Sequence, residues 1–154
     1  MEYSEALIET FPVRIRRRVA WGECDPAGIV YTPRFCDYAM SARDWFLRVG
    51  LGVWDRPHPA RLGTTYPMRA MSFEFMSPLE ADDFFDMTTR LEKFSNRTFT
   101  LSVAATRVEN MLATDIPVFS AVLTCVALDQ NTGRAVSLPD NTRDALEKCM
   151  ASQQ

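Results

Sequence analysis

Apolar residues along this chain recur with two different periods, and the switch between them outlines the fold. From Pro33 to Gly50 the sequence PRFCDYAMSARDWFLRVG repeats at helical spacing, with Phe35, Tyr38, Ala39, Ala42, Trp45, Phe46 and Val49 on one face. Arg34, Asp37, Ser41, Asp44 and Arg48 fall opposite, Asp44 and Arg48 being spaced for an ion pair one turn apart. Gly50 supplies the stop. The spacing predicts one helix about 27 Å long at 1.5 Å per residue. Elsewhere the period is two. Val13, Ile15, Arg17, Val19 and Trp21 share one face, and Arg14, Arg16 and Arg18 the other. Phe99, Leu101, Val103 and Ala105 alternate with threonines and Ser102, and Met68 to Met76 and Phe84 to Leu91 read as further strands. Val118 to Leu128 is almost wholly apolar, which predicts a central strand covered on both faces. Turn residues at Ser95-Asn96 and at Gln130-Asn131-Thr132-Gly133 predict antiparallel hairpins, and Asp140 to Met150 follows Pro139 as a short closing helix.

One strand, one long helix and four more strands make an α+β fold: a five-stranded antiparallel sheet wrapped around a single helix. At 154 residues the chain fits a single domain spanning residues 1–154, since no linker-like stretch divides it. One helix covers only part of such a sheet. The apolar content of the later strands therefore predicts a second subunit.

The formal charge of -3 argues against a nucleic-acid platform. Met1 to Pro12 lacks both a basic start and a long apolar run, which predicts neither export nor membrane insertion and hence a cytoplasmic protein. Cys24, Cys36, Cys125 and Cys149 are scattered without metal-binding spacing, and the lone His58 sits between prolines. No metal site and no redox cofactor is expected.

The segment WGECDPAGIVYTPRF, Trp21 to Phe35, holds the candidate chemistry. Asp25-Pro26-Ala27-Gly28 suits a tight turn, and Thr32-Pro33 offers an N-cap followed by a first-turn proline. A carboxylate is thereby set beside the free N–H groups of a helix start. This segment closely resembles the signature of the 4-hydroxybenzoyl-CoA thioesterase family of hotdog-fold proteins, and the order of elements agrees from Val13 to Pro139. The resemblance implies a thioesterase acting on an acyl-CoA or related carrier as a dimer or tetramer, with sites shared between subunits. It places the catalytic carboxylate on Asp25 and the amide that polarises the thioester carbonyl near Thr32, within the Val30-Tyr31-Thr32 backbone. Gly28 would let the loop pass close to the acyl group. The turn Lys93 to Thr98, including Arg97, and Arg134 correspond to the region holding the nucleotide end of coenzyme A. The chain also departs from its relatives: Thr32 stands where many short-chain enzymes have a histidine, and Tyr38-Ala39-Met40-Ser41 where hydroxybenzoyl-specific members carry a polar residue toward the ring hydroxyl.

Chemically, a helix N-terminus stabilises charge accumulating on the thioester oxygen, while an ionised carboxylate attacks the carbonyl or takes a proton from water. Residue types alone leave those two routes open. Cys24 is a weaker candidate because strand alternation turns it away from Asp25, and no G-x-S-x-G occurs. Gly50-Leu51-Gly52 lacks the third glycine of a dinucleotide fingerprint. Glu74 and the Arg14, Arg16 and Arg18 stripe fit solvated strand faces better than catalytic or phosphate-binding roles, and Tyr31, Trp45, Phe46 and Trp54 are core residues more often than an aryl pocket. The expected reaction is hydrolysis of an aromatic acyl-CoA, hydroxybenzoyl-like esters included, to free acid and CoA, the alternatives being a short- or medium-chain aliphatic acyl-CoA or acyl-carrier substrate or a non-catalytic acyl-CoA binder.

Overall fold

The computed structural model describes residues 4–53 and 63–154, so Trp54 and His58 lie outside the described residues. Strands β1 (Glu5–Thr10), β2 (Val13–Arg18), β4 (Met68–Phe75), β5 (Phe84–Phe94), β6 (Thr98–Glu109) and β7 (Leu112–Val126) form one antiparallel sheet in the order β1-β2-β5-β6-β7-β4. Strands β3 (Thr64–Thr65) and β8 (Leu128–Asp129) pair separately. Helix α1 (Arg34–Trp45) lies against the main sheet and helix α2 (Asp140–Ser152) closes the chain. The expected hotdog architecture is present with one more strand in the main sheet, because β1, which was not among the expected strands, pairs with β2. Its EALIET pattern leaves most side chains exposed, and an edge strand needs no buried face.

Alternation fixes which side chains meet α1. Tyr38, Phe35 and Ala42 of α1 are buried, as are Phe85 and Met87 of β5, Leu101 and Val103 of β6, and Phe119 and Leu123 of β7. Phe35 meets Phe119 edge-on with centroids 5.2 Å apart, and Tyr38 tilts against Phe85 at 5.1 Å. Beyond Trp45 the rod continues as a π-helical turn, Phe46–Gly50, instead of the α-helix expected through Gly50. The extra residue in that turn rotates the surface, burying Leu47 fully, and the Asp44–Arg48 pair does not form. Asp44 bonds Arg43 instead, while the Arg48 guanidinium stands 5.5 Å from the Trp45 ring centre.

The opposite face of the sheet is open in this chain. Val122 is 45% exposed, so β7 is not covered on both sides as its apolar run suggested; its alternate residues have no second layer above them. The arginine stripe on that face is paired. Arg16 donates from Nε and Nη2 to the two oxygens of Asp86 at 2.8 and 3.0 Å, and Arg14 reaches Glu9 at 2.8 Å. Arg18 turns to Asp82. Trp21 leaves the strand in a 3-10 turn, Trp21–Glu23, and is exposed, donating its indole N–H to Asp82. No helix among the described residues is long and apolar enough to cross a membrane.

The Asp86 carboxylate is only 1% exposed and balances two guanidinium groups. Asp86→Ala is therefore expected to lower unfolding stability by about 3 kcal/mol, since it strands buried charge, whereas Arg90→Ala on the exposed part of β5 should stay within about 0.5 kcal/mol. Urea unfolding of the two variants beside the parent checks both values.

Candidate functional site

Between the end of β2 and the start of α1 the chain makes a small hairpin built from the signature. The Gly28 N–H donates to the Asp25 carbonyl at 2.9 Å, and the Asp25 N–H donates to the Ile29 carbonyl at 3.0 Å. Gly28 adopts φ +85°, the left-handed conformation that this closure requires and that side-chain-bearing residues avoid. The arms are then tied outward: the Tyr31 N–H to the Glu23 carbonyl at 2.8 Å, and the Val30 N–H to the Leu79 carbonyl at 2.8 Å.

Asp25, half-buried, uses one oxygen for local structure. Its Oδ1 accepts the Ala27 N–H at 2.8 Å, while Oδ2 has no partner among the described residues. Shaping the turn and carrying a reactive oxygen are thus compatible in one carboxylate.

The helix start differs from the expectation in two ways. Thr32 is not the N-cap; that position is Pro33, and no side chain caps the helix. Arg34, Phe35 and Cys36 N–H groups turn back to the carbonyls of Tyr31, Thr32 and Pro33 at 2.8, 3.1 and 3.1 Å, so the first turn does not present an open cluster of amides. Of the three backbone donors expected here, Val30 and Tyr31 are already engaged. Thr32 alone of those three keeps an N–H without an acceptor among the described residues. It stands at the positive end of α1, where the helix dipole favours negative charge.

Ile29, Val30 and Thr32 form one wall of a hollow of about 330 Å³, with Phe35, Phe75, Met76, Ser77, Pro78 and Leu79 around the rest. Asp25 itself is not in that wall. Its surface is chiefly apolar, and the Ser77 hydroxyl is turned away to the Pro117 carbonyl at 2.7 Å. The Tyr31 side chain is 53% exposed. A larger hollow of about 460 Å³ opens elsewhere, between Met40 and Arg43 of α1 and Tyr66, Asn141 and Thr142. None of the signature loop lines it.

The remaining expected contacts lie far from this hairpin within one chain. Lys93, Arg97 and Arg134 are exposed, and Thr98 is half-buried. Thr98 pairs with Val126 of β7, whereas Phe75, beside the hollow, pairs with Phe119. Seven residues of β7 separate those rungs, about 23 Å at 3.3 Å per residue. Arg97 and Arg134 share that distant end, because the Arg97 carbonyl accepts the Ala127 N–H and the Arg134 carbonyl accepts the Asp129 N–H. Glu74 points to solvent. Trp45 donates its indole N–H to Glu5 at 2.7 Å and Phe46 is core, so neither offers an aryl pocket.

Sequence reading missed the polar cluster under the hairpin. Arg17 bonds both Glu5 and Glu23, and Ser41 donates to Glu5. Placing Arg17 on the apolar face of β2 was the one available signal.

Comparisons with known proteins agree with the fold. The sequence profile described as the thioesterase-like superfamily matches residues 19–146. A 4-hydroxybenzoyl-CoA thioesterase from Pseudomonas sp. (strain CBS-3) is 26% identical over 88 residues, covering 56% of this chain and 62% of the relative. Among solved structures, a hypothetical protein from Aquifex aeolicus has a TM-score of 0.75 at 30% identity, with 88% of this chain and 99% of that one covered. A gentisyl-coenzyme A thioesterase shares the fold with a TM-score of 0.74 at 20% identity, over 86% of this chain and 98% of its own.

Burial first, and then the carboxylates of Glu23 and Asp25, push the Cys24 thiol above its ordinary range, whereas Cys36 is exposed. Less Cys24 thiolate exists at neutral pH as a result. Iodoacetamide at pH 8 should therefore modify Cys36 well ahead of Cys24, read by peptide mass spectrometry over time.

Proposed function

This chain belongs to the thioesterase-like superfamily, and from that premise we propose that it hydrolyses the thioester of an aromatic acyl-CoA to the free acid and CoA. The observation carrying this reading is that one short hairpin offers both the unpartnered Oδ2 of Asp25 and the free Thr32 N–H at the start of α1. The amide and helix dipole stabilise the oxygen that gains negative charge when the carbonyl is attacked. Asp25 supplies the attack, either by adding to the carbonyl carbon or by taking a proton from the water that does. Either route consumes one water, breaks the carbon–sulfur bond and leaves the proton on the departing thiolate. Gly28 lets the turn close without a side chain obstructing the substrate, while Val30 and Tyr31 hold the arm that presents Thr32.

The apolar, phenylalanine-rich hollow suits a flat hydrophobic acyl group. Ser41, the polar residue of α1 in the stretch where hydroxybenzoyl relatives meet the ring hydroxyl, donates to Glu5 at 2.6 Å and is withdrawn from a ring. An aryl group without that hydroxyl is the favoured substrate. The nucleotide end of CoA belongs to Lys93, Arg97 and Arg134, whose charges suit its phosphates, and to Thr98, whose hydroxyl can hydrogen-bond them. Since these residues lie about 23 Å along the sheet from the rung beside the hollow, the working unit is at least a dimer in which one copy contributes the hairpin and another the basic turn.

Thiol release measured over a panel of aryl and aliphatic CoA esters should favour unsubstituted aryl esters over hydroxylated and short aliphatic ones. Asp25→Asn keeps the Oδ1 acceptor for Ala27 and should reduce turnover by about a hundredfold or more, with an unchanged circular dichroism spectrum. Near-parental turnover in that variant overturns the assignment. Light scattering at micromolar concentration should give a mass of at least two chains.

A further inference from the structure

We propose that Glu23, held by Arg17, is a positioning residue that sets the catalytic hairpin; the inference rests on the hydrolytic reading of Asp25. Glu23 is nearly buried at 9% exposure and is occupied by both its side chain and its main chain. Its Oε1 accepts the Ala20 N–H at 2.7 Å and its Oε2 accepts Arg17 Nη2 at 3.0 Å, while its carbonyl accepts the Tyr31 N–H. The carboxylate therefore anchors the incoming arm two residues before Asp25, and the carbonyl anchors the outgoing arm one residue before Thr32. Both reactive groups take their positions from this residue.

Arg17 cannot slide to follow a displaced loop. Its Nη1 is tied to Glu5, and its guanidinium carbon lies 4.6 Å from the Tyr38 ring centre. Glu5 in turn receives Ser41 and Trp45 of α1, so one cation spans edge strand β1, helix α1 and the hairpin. A planar guanidinium gives two donors in fixed directions, a span that a lysine ammonium does not reproduce. Two carboxylates and one guanidinium leave this interior cluster with an excess of one negative charge. Every one of its oxygens named here receives a hydrogen bond.

Glu23→Gln separates positioning from folding. The amide oxygen still accepts the Ala20 N–H, but the NH2 group then faces Arg17 donor to donor. Expected is a fall in kcat of about ten- to a hundredfold, because small misplacements at the reacting centre are costly, with KM changed by less than about twofold. The double variant Glu23→Gln/Asp25→Asn should be no slower than Asp25→Asn alone, as required if Glu23 acts through Asp25. Ser41→Ala, which loosens only the Glu5 side of the cluster, should lower Tm and leave kcat at the parental level. Hydrogen exchange supplies a readout independent of turnover. The Tyr31 and Asp25 amides should exchange faster in Glu23→Gln and stay protected in Ser41→Ala. Parental kcat in Glu23→Gln, or undiminished protection of those amides, overturns the proposal. Should the parent chain release no thiol from any ester, hydrolysis fails as a reading and the exchange data alone decide the role of Glu23.

Discussion

The structure depends on burying the apolar face of α1 in the hollow of a curled antiparallel sheet. Phe35, Tyr38, Ala39, Ala42 and Phe46 are together almost fully removed from water, against facing rows from β5, β6 and β7. At roughly 1.5–3 kcal/mol for each large side chain, this contact dominates the favourable side of folding. It also decides where the helix begins. With Phe35 locked among Phe75 and Phe119, the start of α1 is fixed against the end of β4 and the middle of β7. The signature loop must therefore arrive at that rim.

Charge acts as a second, more local constraint. Arg17 lies among apolar neighbours on the inner face of β2, and Arg14 and Arg16 lie on the outer face; each finds a carboxylate. Interior ion pairs add little to stability over apolar packing, but they permit few alternative geometries. An apolar residue at position 17 would pack on Tyr38 with equal ease, yet would leave the carboxylates of Glu5 and Glu23 without a cation. The sheet thereby carries apolar contacts that hold α1 and polar contacts that orient the chain on either side of it.

Much of this was legible from residue order. Period-two alternation in β2, β5 and β6, and the helical period of Phe35 to Phe46, reflect burial on one face, which side-chain chemistry records directly. The turn at Gly28 was legible because a left-handed backbone demands that residue. Less visible were features set by partners distant in sequence. Strand β1 exists because β2 offers an edge, and its own pattern does not announce it. The extension of β6 and β7 to Glu109 and Leu112 turns on Asn110 and Met111, both at positive φ, a hairpin without the expected glycine. The engagement of Val30 by Leu79 and of Tyr31 by Glu23 decided which amide stays free, and only tertiary contacts determine that.

Pro117 interrupts β7 where its pairing with β6 shifts between Ala105 and Thr106. Lacking an N–H, proline is tolerated at such irregularities, and the neighbouring carbonyls are left to other donors. The Val118 carbonyl takes the Met76 and Ser77 N–H groups, and the Pro117 carbonyl takes the Ser77 hydroxyl. The far side of the hollow thus hangs from the least regular stretch of the sheet. Changes in side-chain size at residues 76–79 can be absorbed there without disturbing the regular ladder, so the hollow can be reshaped while the scaffold and its hairpin stay in place.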